Sequence, residues 1–174
     1  LFAGMGVGET VKLLDAGTRR VVMEVPTGDF GGAITADGRT MVIGRSPRVT
    51  GSSFELEFYD LTTRRSSGTL DLSSWAAPGD ATLRQSSFSP DGSRLALAFD
   101  LGTMLVVDVG TRKEIAVMRP GVDGFGGASA MKYSPDGKRL ALRSRDGALV
   151  LLDADTFEEL DRLGADLSPA ERLS

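Results

Sequence analysis

Apolar residues along the chain fall into runs of about three to six, rich in Val, Leu, Ile and Phe, with turn-forming residues between them. Runs of that length read as short strands, and no window carries a convincing helical period. In the clearest stretch the pattern predicts strands over Thr82–Phe88, Arg94–Phe99, Thr103–Asp108 and Glu114–Met118. One different signal stands near the end. Ser168-Pro169-Ala170-Glu171 has the form of a capping box with proline at the first helical position, and predicts a short exit helix.

The pattern repeats. A short apolar segment followed by Asp, two residues and Thr ends at Asp15, Asp60, Asp108 and Asp153 and their threonines, with spacings of 45, 48 and 45 residues. A second marker precedes three of these. It reads Ala36-Asp37-Gly38-Arg39, Ser89-Pro90-Asp91-Gly92-Ser93-Arg94 and Ser134-Pro135-Asp136-Gly137-Lys138-Arg139. In the full Ser-Pro-Asp-Gly form the proline presets φ, the aspartate bonds back to nearby amides, and the glycine takes a left-handed conformation. The Asp-x-x-Thr element predicts the next tight turn, its side chains satisfying backbone groups.

Units of about 45 residues with four short strands each indicate four-stranded antiparallel blades of a β-propeller, so the fold class is all-β. The expected division is a partial blade over 1–25, whole blades over 26–72, 73–118 and 119–163, and an exit segment over 164–174. That is about 3.75 blades, which predicts a part of a seven- or eight-bladed ring, completed by sequence outside this chain or by another chain. The stretches Phe88–Leu97 through Asp108 and Tyr133–Leu142 through Asp153 resemble bacterial WD40-type repeats. The resemblance implies a Trp closing each third strand and a His–Ser/Thr–Asp–Trp network. Here the Trp position holds Leu14, Tyr59, Val107 and Leu152, so that network has no counterpart and the aspartates are expected to act in turns.

Composition narrows the chemistry. Among 174 residues there is no cysteine and no histidine, which removes thiol nucleophiles, Cys or His metal ligands and any Ser-His-Asp triad. A net charge of -4 gives no electrostatic footprint for nucleic acid or an anionic membrane, and no apolar run is long enough for a spanning helix. The first residue is Leu rather than Met, as in a piece of a longer protein; a cytoplasmic setting is the expectation. Sixteen arginines against four lysines fit a GC-rich bacterial coding sequence.

Glycine-rich segments do not read as phosphate loops. Gly4-Met5-Gly6-Val7-Gly8 is followed by a strand in the repeat register rather than a helix, so those glycines are expected in a turn. Gly121–Ala128 and Thr27–Ala33 share a Gly-Asp-x-Phe-Gly-Gly-like core and read as inter-blade connections near the ring axis, where Phe125 could meet a ligand. No Asp-x-Asp-x-Asp-Gly loop occurs, and the repeat accounts for most carboxylates. No cofactor, metal or catalytic residue is expected.

Binding residues of a scaffold concentrate on its variable loops. Ser46–Ser53 widens the loop of the second unit and brings Arg45 and Arg48 together. Ser73–Asp80 widens a connection and holds Trp75, the single tryptophan, and Arg143 and Arg145 flank the loop of the fourth unit. Arg and Trp are the types most enriched at interface hot spots. The expected function is therefore a non-catalytic scaffold that binds a protein or peptide on one face of the ring. Propellers accessory to serine peptidases resemble it too, as do small-ligand sensors. A Gly-x-Ser-x-Gly elbow beyond the chain would mark the former, and ligand-induced thermal stabilisation the latter.

Overall fold

The computed structural model describes residues 2–5, 10–26, 32–45, 55–75, 83–99, 103–118, 128–144 and 147–164. Among these residues fifteen strands form four antiparallel sheets in chain order. The first sheet has three strands, β1 (Phe2–Met5), β2 (Thr10–Leu14) and β3 (Val21–Pro26). The second holds β4 (Gly32–Ile34), β5 (Thr40–Arg45), β6 (Glu55–Asp60) and β7 (Arg65–Asp71). The third holds β8 (Leu83–Phe88), β9 (Arg94–Phe99), β10 (Met104–Asp108) and β11 (Glu114–Met118). The fourth holds β12 (Ala128–Tyr133), β13 (Arg139–Ser144), β14 (Leu149–Asp153) and β15 (Glu159–Leu163).

Within each sheet the strands pair in simple up-and-down order, the layout of a propeller blade. The inner strand β8 lies beside both β4 and β12, so the blades stand side by side around a common line. The three four-stranded sheets span 32–71, 83–118 and 128–163. In the first sheet Gly4 differs from expectation. It belongs to β1 and pairs with Lys12, because the apolar run around it extends the sheet edge instead of turning. The exit helix expected from Ser168 lies outside the described residues. Among those residues no helix is long and apolar enough to cross a membrane.

Each strand alternates between two faces, and both faces are apolar wherever a blade lies between neighbours. Leu95, Leu97, Phe99, Leu105 and Val107 of the third blade pack against Val42, Leu56, Phe58 and Leu70 of the second. The intervening Ala96, Ala98, Met104 and Val106 pack against Met131, Tyr133, Leu140, Leu142, Val150 and Leu152 of the fourth. A third seam joins Val11, Leu13 and Val25 of the first blade to Met41, Ile43 and Tyr59 of the second. This explains why β9 and β10 read as continuous apolar runs: every residue from Leu95 to Phe99 and from Met104 to Val107 has no exposed surface.

A polar latch adds to the seam between the second and third blades. The residue four places after each turn aspartate has positive φ, namely Arg19, Arg64, Arg112 and Phe157, at 56 to 60°. Such a conformation is costly for a residue with a side chain and persists only where its surroundings hold it. The tight turn itself holds it, the amides of Arg19, Arg112 and Phe157 each donating to the carbonyl of the turn aspartate, and Arg112 adds a contact across the seam. Its guanidinium sits 4.9 Å from the centroid of the Phe58 ring and donates to the carbonyl of Ser67 on the preceding blade. Gly68, at φ 120°, leaves the space that Arg112 fills. Phe157 occupies the same position one blade later and packs into the apolar seam instead.

Gly68→Ala is therefore expected to destabilise by about 1–3 kcal/mol, from backbone strain and from displacing Arg112. In the Arg112→Ala background part of that cost disappears, as urea unfolding of the two single variants and the double variant will show. Fully additive costs would place the latch elsewhere.

Candidate functional site

The strand directions put both repeated turns at one end of every blade. The first turn is built on a hydroxyl. Thr35, Ser89 and Ser134 each accept the amide of the residue five places on, Thr40, Arg94 or Arg139, at 2.9 to 3.0 Å. The same hydroxyls donate at 2.6 Å to Asp37, Asp91 and Asp136, and each aspartate accepts one further amide at 3.0 Å. The glycine of the turn closes the loop onto the carbonyl of the hydroxyl residue. In the third blade it sits at φ 74° against Thr35 of the second, where a left-handed residue without a side chain fits.

The second turn is built on the carboxylate of Asp15, Asp60, Asp108 or Asp153. One oxygen accepts amides two or three residues on, at 2.7 to 3.1 Å, and in Asp15 and Asp108 a threonine hydroxyl as well. A β-bulge in each outer hairpin accommodates the turn.

These bonds favour the ionised carboxylates. The donated hydroxyls of Thr35, Ser89 and Ser134 hold Asp37, Asp91 and Asp136 below the usual carboxylate value. The amides of Thr18, Thr63, Thr111 and Thr156 do the same for Asp15, Asp60, Asp108 and Asp153. A carboxylate held ionised and already accepting several bonds is a turn anchor rather than a proton donor.

Between the third and fourth blades this end carries a cross-blade contact. Arg94 donates to the carbonyl of Ala154 at 2.6 Å and lies 2.8 Å from Asp155. Asp155 is mostly exposed, so the buried Ala154 carbonyl is the stronger part of the contact. Arg94 and Asp155, together with Asp91, Asp136 and Gly137, line a cleft of about 220 Å³.

Of the residues expected to bind a partner, Arg45 and Arg143 lie at the other end. Arg45 ends β5, opposite Glu55, and Arg143 lies on β13, exposed, opposite Leu149. The third blade stands between them, so the described strands bring the two to the same end without bringing them together. Arg48, Phe125 and Arg145 lie outside the described residues, as do the glycine-rich segments 27–31 and 121–127. Trp75 is half-buried against the seam of the second and third blades, and its indole N–H donates to Glu114 of β11. Its ring thus also serves to join two blades.

A feature not anticipated from the sequence lies along the inner strands. Ala33, Ser86, Ser87, Phe88, Lys132 and Tyr133 contribute to a cleft of about 440 Å³ spanning three blades. Its signal in the sequence is the polar Gln85-Ser86-Ser87 within an otherwise apolar strand pattern. Tyr133 is buried and its hydroxyl makes no hydrogen bond; burial pushes it up to about 12, so it stays protonated. Among the described residues no group of acidic side chains is arranged to hold a metal ion.

Compared with protein-family models and with curated proteins, the chain matches none.

The anchoring role fixes a pH dependence. Carboxylates held below their ordinary 3.8 add stability that is fully present above that value and is lost as pH falls through the depressed folded value. Acid titration of unfolding will show stability declining below about pH 4, and Asp91→Asn will lower stability at neutral pH while flattening that decline. Ser89→Ala, which leaves the Arg94 amide without its acceptor, is expected to cost about 1–3 kcal/mol.

Proposed function

We propose that the chain is a sector of a WD40-like propeller and serves as a non-catalytic scaffold for a protein or peptide partner. The observation that carries this is the asymmetry between the two ends of the blades. At one end the turns are near-copies of one another, locked by carboxylates and hydroxyls and closed to variation. At the other end the connections between second and third strands differ, with 46–54 in one blade against 100–103 and 145–148 in the next two. A rigid frame with one variable end is how a scaffold carries specificity.

The arginines of that end favour a partner segment bearing carboxylates, because guanidinium groups recognise them in a fixed two-pronged geometry. Display rather than chemistry accords with aspartates that are committed to turns. A bacterial, cytoplasmic regulatory protein is the setting in which such repeats would act. The hydroxyl-lined cleft supports a second role, reception of a small polar ligand, which a thermal-shift series with sugars and organic acids separates from the first.

The scaffold reading is tested by affinity capture with quantitative mass spectrometry. Arg48→Glu with Arg145→Glu is expected to reduce recovery of a specific partner by about tenfold or more. Lys138→Glu, at the motif end, leaves recovery unchanged. Equal recovery with the arginine variants, or equal loss with Lys138→Glu, would contradict it.

A further inference from the structure

The cross-blade contact at the motif end of the third and fourth blades has no counterpart one seam earlier. Between the third and fourth blades Arg94 spans the gap to the Ala154 carbonyl and to Asp155. Strand register and turn bonding place Thr40 of the second blade where Arg94 stands, and Gly110 of the third where Asp155 stands. Neither is long enough to reach across. A hollow of about 540 Å³ lies here, lined by Arg39, Thr40, Asp60, Thr62 and Ser67. The second and third blades each pack against described neighbours on both faces, so the opening belongs to the seam itself.

The surroundings of the hollow are basic. The Arg39 side chain is 78% exposed, and its carboxylate partner, Asp37 of the same turn, stands 3.8 Å away. Thr40, Asp60 and Arg65 pair in register across β5, β6 and β7, on the side of Val42 and Phe58 that faces the third blade. Arg65 is exposed and has no carboxylate within ion-pair distance among the described residues. From the third blade Arg112 reaches back to the carbonyl of Ser67, on the outer wall. Three guanidinium groups thus stand against two carboxylates, Asp37 and Asp60, and the balance is positive. Both carboxylates are already engaged. Asp60 accepts the amides of Thr62 and Thr63 at 2.7 and 3.1 Å, and Asp37 accepts the Thr35 hydroxyl and the Arg39 amide. Guanidinium groups borne on different strands suit the tetrahedral oxygens of phosphate better than the single plane of a carboxylate.

We propose that the hollow between the second and third blades binds a phosphate group, carried by a small molecule or by a phosphorylated side chain of a partner. Arg39 and Arg65 supply charge-assisted donors, the hydroxyl residues Thr40 and Thr62 line the same hollow, and Arg112 holds the outer wall in place. The site lies at the opposite end of the blades from Arg45 and Arg143, and it stands independently of the scaffold reading.

Calorimetric titration of the purified chain with inorganic phosphate, and with a short peptide carrying phosphoserine, tests this. Saturable binding at one site per chain is expected, at least about tenfold tighter than binding of acetate. Tighter binding of the peptide identifies a phosphorylated side chain as the source, and equal affinity identifies a free phosphate compound. Arg39→Ala with Arg65→Ala will weaken binding by about tenfold or more, with circular dichroism unchanged because both side chains are exposed. Lys138→Ala, which removes an exposed cation from the fourth blade, leaves binding unchanged. Thr40→Arg with Gly110→Asp rebuilds the contact of the next seam across the hollow, and will likewise weaken binding by about tenfold or more without lowering stability to urea. Gly110 has room for the change, since a Cβ there meets Asp108 Oδ1 at 3.6 Å. The proposal is overturned by the lack of saturable binding at millimolar phosphate, or by acetate binding as tightly as phosphate. Binding that either pair of substitutions leaves intact, or an equal loss with Lys138→Ala, overturns it as well.

Discussion

Face-to-face packing of sheets is the interaction on which everything else in this protein depends. A four-stranded sheet alone exposes two apolar faces and two edges, and in water it is at best marginal. Here the third blade is covered on both faces, so its central strands bury every side chain from Leu95 to Phe99 and from Met104 to Val107. The core is therefore not one cluster but a series of seams, each shared by two neighbours. Stability in such an array approximates a sum of blade terms and seam terms, each blade owing much of its stability to the blades beside it.

The constraint shapes the turns. Blades can stack only if their edges and ends keep the same outline, and the two carboxylate-centred turns provide it. Each buries or occupies its donors locally, with Ser89 at the centre of one and Asp108 at the centre of the other. The motif end is thereby fixed in outline, while the connections between second and third strands at the opposite end differ in length from blade to blade. The latch from Arg112 to Phe58 and Ser67 shows the same logic across a seam: a residue whose backbone the turn already fixes extends its side chain onto the neighbouring blade.

Much of this was legible in the sequence, and the limits have physical causes. Strand positions in the third blade agree to within a residue at each end, because apolar runs and Pro, Asp and Gly signals are local. The aspartates were readable as turn residues for the same reason. Arg112 was not readable as a latch. Arginine has no preference for positive φ, and its partners are separated from it by 45 or more residues. The sequence left Trp75 open to either a binding role or packing against a blade, and its hydrogen bond to Glu114, 39 residues on, becomes visible only once two blades are stacked. The inner cleft escaped notice because its residues are scattered over three blades, each contributing a few unremarkable serines or alanines.

Hydrogen exchange of the backbone amides, followed by mass spectrometry, tests most directly that seams rather than individual sheets carry the stability. The amides of β9 and β10, covered on both sides, should exchange most slowly. Those of β14 and β15, covered on one, should exchange markedly faster. Uniform protection across the blades, or slowest exchange in the fourth blade, would contradict it.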